Sequence, residues 1–183
     1  MYSPLVRPGD HKDRPYDASL GVTFFDRTID DLIQFEQNAG FARAENVGKA
    51  RLTGVEVEMK SCLFNHLSLA ANYTFQNPRD HANYDGKLLP GRPRHEFDGK
   101  LEAFNKKGKL FTAFNWMDDI CLDPLNTRKV NDRILVNAGA SVKALPKTTV
   151  SFEAKNLTDS QTVDVVGFPL PGRSFFGKVD WEW

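Results

Sequence analysis

From residue 67 to 76 the chain reads LSLAANYTFQ, with Leu67, Leu69, Ala71, Tyr73 and Phe75 on one parity and Ser68, Ala70, Asn72, Thr74 and Gln76 on the other. Successive side chains of a β-strand point to opposite faces, so this run specifies a strand with one apolar and one polar surface. The same pattern returns at Phe97, Gly99, Leu101 and Ala103, at Leu110, Thr112, Phe114 and Trp116, and at Val136, Ala138, Ala140, Val142 and Ala144. It returns again at Val150, Phe152 and Ala154, and last at Phe175, Gly177, Val179, Trp181 and Trp183. Two longer and less regular strands are predicted ahead of these, over about 20–35 and about 42–60. The expected class is therefore all-β, with eight antiparallel up-and-down strands over residues 20–183 and a poorly defined segment at 1–19.

The opposite parity carries more than Ser and Thr. Glu96, Asp98, Lys100 and Glu102, then Glu153 and Lys155, then Lys178, Asp180 and Glu182 all lie on it, while the apolar parity is almost free of charge. A transmembrane barrel has this asymmetry, because a charge at mid-depth on its lipid face costs about 2–4 kcal/mol whereas an inward charge meets water. An antiparallel sheet in a soluble protein alternates too, so alternation alone leaves both open. The mean hydropathy of −0.45 and the lack of a long apolar run exclude a membrane-spanning helix, but not a spanning strand.

The connections separate the two. Short breaks are expected at 61–66, 105–108 and 145–147, and long ones at 36–41, 77–94, 117–132 and 157–173. Short turns at one end and long loops at the other is the outer-membrane arrangement. Tyr73, Phe75, Phe114, Trp116, Trp181 and Trp183 sit near the ends of apolar faces, where aromatic girdles meet the membrane interface. In the second strand Lys49, Arg51 and Thr53 occupy one parity, but Glu56, Glu58 and Lys60 the other. This phase slip predicts a β-bulge at Thr53–Gly54.

Several segments, in order, resemble the TonB-dependent receptors. They are GVTFFDRTIDDLIQFE at 21–36, AENVGKARLTGVEVEMK at 44–60 with Asn46, Val47, Gly48, Ala50, Gly54, Val55 and Glu56, and LLPGRPRHEF at 88–97. AKNLTDSQ at 154–161 and GFPLPGRSFFGKVDWEW at 167–183 complete the set. The resemblance implies the C-terminal part of a barrel of roughly 22 strands in the bacterial outer membrane, whose lumen holds an N-terminal plug. It implies import of a scarce small-molecule ligand such as a ferric siderophore, haem or cobalamin, energised by the TonB complex through the plug. It further implies that the barrel-assembly machinery reads the terminal strand, although this chain ends in Trp183 where the family usually ends in Phe. No plug, TonB box or apolar leader occurs in this stretch; the opening MYSPLVRPGDHKD has no apolar core. Two rivals are a complete eight-stranded outer-membrane barrel and a soluble lipocalin-like barrel that binds a small ligand.

Other chemistry finds little footing. Lys plus Arg and Asp plus Glu are both 24, which gives no electrostatic reason to expect nucleic acid as a partner. His11, His66, His81 and His95 lack ligand spacing, so no metal site is expected. No nucleophile elbow, phosphate loop or dinucleotide fingerprint is present, so neither an enzyme nor a cofactor is expected. Cys62 and Cys121 read as independent thiols. The acidic pairs Asp30–Asp31 and Asp118–Asp119 read as solvated strand ends. The loop within 78–94 is the candidate ligand contact, through Arg79, His81, Tyr84 and Arg92, since loops carry function on barrel scaffolds.

Overall fold

The structure is a computed structural model that describes residues 16–38, 41–130, 132–165 and 168–182. Eight strands form one antiparallel meander: β1 (Tyr16–Asn38), β2 (Phe41–Leu63), β3 (Leu67–Asp80), β4 (His95–Phe104), β5 (Gly108–Asp118), β8 (Arg133–Leu145), β9 (Thr148–Lys155) and β12 (Ser174–Trp181). Two small ribbons lie within the long connections, β6 (Ile120–Cys121) with β7 (Lys129–Val130), and β10 (Val163–Val165) with β11 (Phe168–Pro169). All eight expected strands form, and each lies where alternation placed it. The long connection expected at 36–41 does not: β1 continues to Asn38 and β2 starts at Phe41, so this hairpin stays paired to its tip.

The sheet order runs β1-β2-β3-β4-β5-β8-β9-β12, with β1 and β12 at its edges. The eight strands thus make an open wall, and neither the self-closed barrel nor the lipocalin-like barrel is formed. Register aligns the apolar parity across the wall. Val22 faces Val57, Val57 faces Tyr73, Tyr73 faces Phe97, Phe97 faces Trp116, and Trp116 faces Ile134. Further along, Ala138 faces Ala154, Ala154 faces Phe175, and Val142, Val150 and Val179 form another line. These side chains do not gather into a dry centre: Leu20, Phe24, Phe152 and Trp181 are 71%, 80%, 53% and 66% exposed. A charge-free surface this wide matches the lipid-facing band of a spanning barrel and would be an aggregation liability in water.

The opposite face is polar and cross-braced. Asn115 donates to Asp98 and accepts from Arg133, which links three strands. Glu102 is held between Lys100 and Lys109. Asn72 donates to Glu56. Two glycines here lie beneath aromatic rings. A Cβ at Gly54 would overlap the Phe75 carbonyl oxygen and crowd the Phe25 ring, and one at Gly139 would strike the Phe111 ring.

No bulge occurs at Thr53–Gly54, where pairing with both neighbours is regular. The interruption lies higher, where Asp31 (φ 55°) and Val47 drop out of register on either side of the Leu32–Gly48 pair. Gly48, at φ 81°, and the Asn46 side chain build this double bulge; Asn46 accepts from the Gly48 amide at 2.7 Å and donates to Asp31 at 3.3 Å. The phase slip in the sequence marks a change of surroundings. Below Thr53 the odd residues Val55, Val57 and Met59 face outward with the apolar band; above it the same parity holds Arg51, paired with Asp26 at 2.5 and 2.9 Å. The inward residues reverse in the opposite sense, with Ala50 and Leu52 buried against Leu89. Each long strand leaves the hydrocarbon at this level, so its two faces exchange polarity while its backbone runs on unbroken.

Candidate functional site

The long-loop end of the wall begins at an aromatic level. The Tyr73 hydroxyl is 2.9 Å from Nδ1 of His95. The Phe75 and Trp116 rings sit 5.1 and 6.3 Å from the His95 ring. Phe114 lies one step deeper, against Phe97, and Trp181 lies toward the opposite end. Trp183 falls outside the described residues. Aromatic side chains with a polar tip are suited to a membrane–water boundary.

Above this level, loop 81–94 first continues β3 as a small hairpin. Asp80 donates its amide to Lys87 and Arg79 bridges to Leu88. Leu89, 1% exposed, then plugs into Ala50 and Leu52 on the inner side of β2, with Phe25, Ile29 and Leu32 around it. The chain turns back through Gly91 (φ 68°) into β4, and Gln76 fixes the return by donating to the carbonyls of Pro93 and Arg94.

Loop 119–132 packs beside it. Ile120 and Cys121 are buried and β6 pairs with β7. Asp123 closes the turn between them by accepting from the amides of Thr127 and Arg128 and from the Thr127 hydroxyl. Asn126, at φ 59°, extends its side chain across to the first loop. Its Oδ1 accepts from the Leu88 amide at 2.8 Å and its Nδ2 donates to the Leu88 carbonyl at 2.9 Å. Asp119 lies between Arg94 and Lys129, 3.0 Å from each. Burial opposes its ionisation, but the hydrogen bonds from Lys129 and Arg94 outweigh it and hold the carboxyl below its ordinary range. Burial pushes the Cys121 thiol up.

The connection between β9 and β12 is organised by Asn156, buried at φ 51°. Its Nδ2 donates to the carbonyls of Ser160 and Pro171, and its Oδ1 accepts from the Ser160 amide and the Thr158 hydroxyl. Asp159 accepts from the Arg173 amide at 2.9 Å and so ties the loop to the start of β12.

Of the residues singled out in sequence, Arg79 bonds its own hairpin, through Gly86 O and Asn77 Oδ1. His81 lies exposed beside Asp26, Thr28, Lys49 and Arg51 in an open depression on the outer face, 3.2 Å from Asp85. Tyr84 sits in the hairpin turn, where its carbonyl accepts from Lys87, and Arg92 is half-buried in the return. No described hydrogen bond or ion pair joins any of these four to another. Of the acidic pairs, Asp30 and Asp31 are exposed, with Asp31 also accepting from Asn46 at the double bulge, whereas Asp119 is not a solvated end but holds two cations. Asn126 and Asp123 escaped sequence reasoning, their only signal being the turn-forming run DPLNT, while Asp119 was read only as part of an acidic strand end and Asn156 only as a position in AKNLTDSQ.

An open antiparallel wall with a charge-free outward band, a wet inward face and folded loops at one rim defines part of an outer-membrane β-barrel. Comparison with known proteins makes the assignment specific: the chain matches the family described as TonB dependent receptor-like, beta-barrel, over residues 13–157, and belongs to it. It resides in the bacterial outer membrane. An uncharacterized TonB-dependent receptor of Haemophilus influenzae is 34% identical over 74 residues, 38% of this chain and 18% of that protein. The siderophore receptor PiuA from Acinetobacter baumannii superposes with a TM-score of 0.73 at 16% identity, covering 90% of this chain and 26% of the receptor. The ferric yersiniabactin uptake receptor FyuA from Yersinia pestis gives 0.68 at 22% identity, with 90% and 26% coverage. The chain thus spans about a quarter of the solved receptors it resembles.

Proposed function

We propose that this chain is the C-terminal part of the barrel of a receptor that imports a scarce ligand, with ferric siderophores the first class to test and haem and cobalamin the next. Loops 81–94 and 119–132 form part of its outer rim, and Arg79, His81, Tyr84 and Arg92 meet the ligand there. No covalent chemistry is required of the wall. Energy comes from the TonB complex through a plug lying outside this stretch of sequence, and the barrel-assembly machinery engages the terminal strand ending at Trp183. The observation that carries the reading is the continuous charge-free band beneath a folded rim, together with the family match. The names of the similar receptors favour a ferric siderophore over the other ligands.

The test is uptake by the intact receptor in an iron-starved strain lacking its own siderophore receptors. At least one ferric siderophore should restore growth in a TonB-dependent manner. Tyr84→Ala or Arg92→Ala should raise the concentration needed by about tenfold, the loss of one good contact. Failure of every ferric siderophore and of haem to restore iron-limited growth, together with failure of cobalamin to restore growth of a cobalamin-requiring strain, would remove the transport reading.

A further inference from the structure

We propose that loops 81–94 and 119–132 are one cooperatively folded unit, in which Asn126 is the positioning residue. The inference goes beyond the receptor reading, because the joint is a property of the two loops whatever they bind. Three contacts of different kinds cross between them. Asn126 grips both the amide and the carbonyl of Leu88, which makes a two-bond rung like that of a β-ladder but built from a side chain. The Gly91 amide donates to the Cys121 carbonyl at 2.7 Å. Arg94, leaving the first loop, shares Asp119 with Lys129 of the second. Beside these, the Arg94 amide donates to the carbonyl of Asp118, the last residue of β5, at 3.2 Å.

The two loops are anchored in the same way. Leu89 fills the inner side of β2, while Ile120 and Cys121 are buried on their own account. Asn126 reaches Leu88 only from a left-handed backbone, which asparagine tolerates far better than most residues, and Asp123 fixes that turn from both sides. Buried apolar anchors and interlocked hydrogen bonds are what make a segment open as one body rather than fray. The pair therefore forms a fixed rim wall, not two lids that close independently.

The test reads one loop after a change in the other, in outer membranes carrying the full chain. Asn126→Ala should speed amide hydrogen exchange at Leu88 and Gly91 by about tenfold, as expected from losing two hydrogen bonds. In the reverse direction, with Cys62→Ser as background, Leu89→Ala should speed maleimide labelling of Cys121 by a similar factor. Asn126→Asp keeps the acceptor for the Leu88 amide and loses the donor; it should give an intermediate effect and serves in place of the alanine variant if that fails to assemble. Faster exchange confined to 120–130 after Asn126→Ala, or Cys121 labelling unchanged by Leu89→Ala, would overturn the proposal. Neither readout involves a ligand, so failure of the transport reading leaves the result standing.

Discussion

At the scale of single residues, several positions of the segments that resemble the family build bulges and loops. Asn156 sits on a left-handed backbone, and all of its side-chain polar atoms are spent on neighbouring backbone and hydroxyl groups. Asp159 then ties the loop to Arg173. Asn46 and Gly48 play the corresponding part at the β1–β2 bulge, and a side chain at Gly48 would press on Ala82 as well as strain a positive φ. Gly54 is glycine because the Phe25 ring and the Phe75 carbonyl occupy the place of a Cβ, the arrangement by which aromatic rings cover glycines in curved sheets. Asn156 is itself buried, whereas Ser160 is half-buried and Thr158 and Pro171 are exposed, so partners freed by its loss can turn to water. Asn156→Ala should therefore destabilise the β9–β12 connection by about 2 kcal/mol, from hydrogen bonds worth about 0.5–1.5 kcal/mol net each. The check is urea-dependent proteolysis of the connection in membrane-embedded protein; a midpoint within error of wild type would mean that those bonds are not made.

At the scale of elements, the rim depends on carboxylates where the strands depend on backbone ladders. Asp119 and Asp123 both ionise more readily in the folded rim than their ordinary range implies. For Asp123, burial opposes ionisation but the bonds from Arg128 and Thr127 prevail. Their stabilising contribution is complete above the ordinary aspartate value of about 4, and is lost as pH falls through the depressed folded values. The amides of Thr127 and Arg128 should thus lose protection as the pH falls below about 4, once intrinsic exchange rates are corrected. The Ser160 amide, whose acceptor is the uncharged Asn156 side chain, should hold its protection over the same interval. Parallel loss at both places would show that the whole rim unfolds, not that carboxylates titrate. The difference between strand and rim also explains what could be read in the sequence. Period-two alternation reports a face held against lipid, so all eight long strands were legible from residues such as Leu69, Phe114 and Val150. A rung made by the Asn126 side chain on the Leu88 backbone leaves no periodic trace, because its partners lie 38 residues apart and one of them is backbone. The bulge was misplaced for a related reason. Arg51 and Glu56 lie on opposite parities because β2 crosses from lipid to water between them, and a reading that assumes constant surroundings turns this into a slip of the chain.

At the scale of the whole molecule, the wall is stable only if its outward side has hydrocarbon against it and its edges β1 and β12 have partners, since unpaired strand edges and a bare apolar face both favour association in water. The facing is therefore the proposition on which the architecture rests, and Phe152 and Glu153 test it with adjacent residues of one short strand. Phe152 is half exposed on the apolar band, where it stacks on Phe175 with ring centroids 6.0 Å apart and faces Gly177 across the ladder. Glu153 occupies the opposite face between Gly139 and Phe176, with Lys155 nearby at 4.0 Å. An arginine in place of Phe152 would lie in hydrocarbon at a cost of about 2–4 kcal/mol, a large share of the stability of a typical domain. An arginine in place of Glu153 would meet a wet lumen lined by other charges, so its only penalty would be repulsion from Lys155. Phe152→Arg should therefore lower the heat-modifiable, folded fraction in outer membranes severalfold, while Glu153→Arg leaves it near the wild-type level. Equal loss for the two variants would mean that neither face is wet, and a greater loss for Glu153→Arg would mean that the wall is turned the other way round, with its apolar band inside a soluble protein.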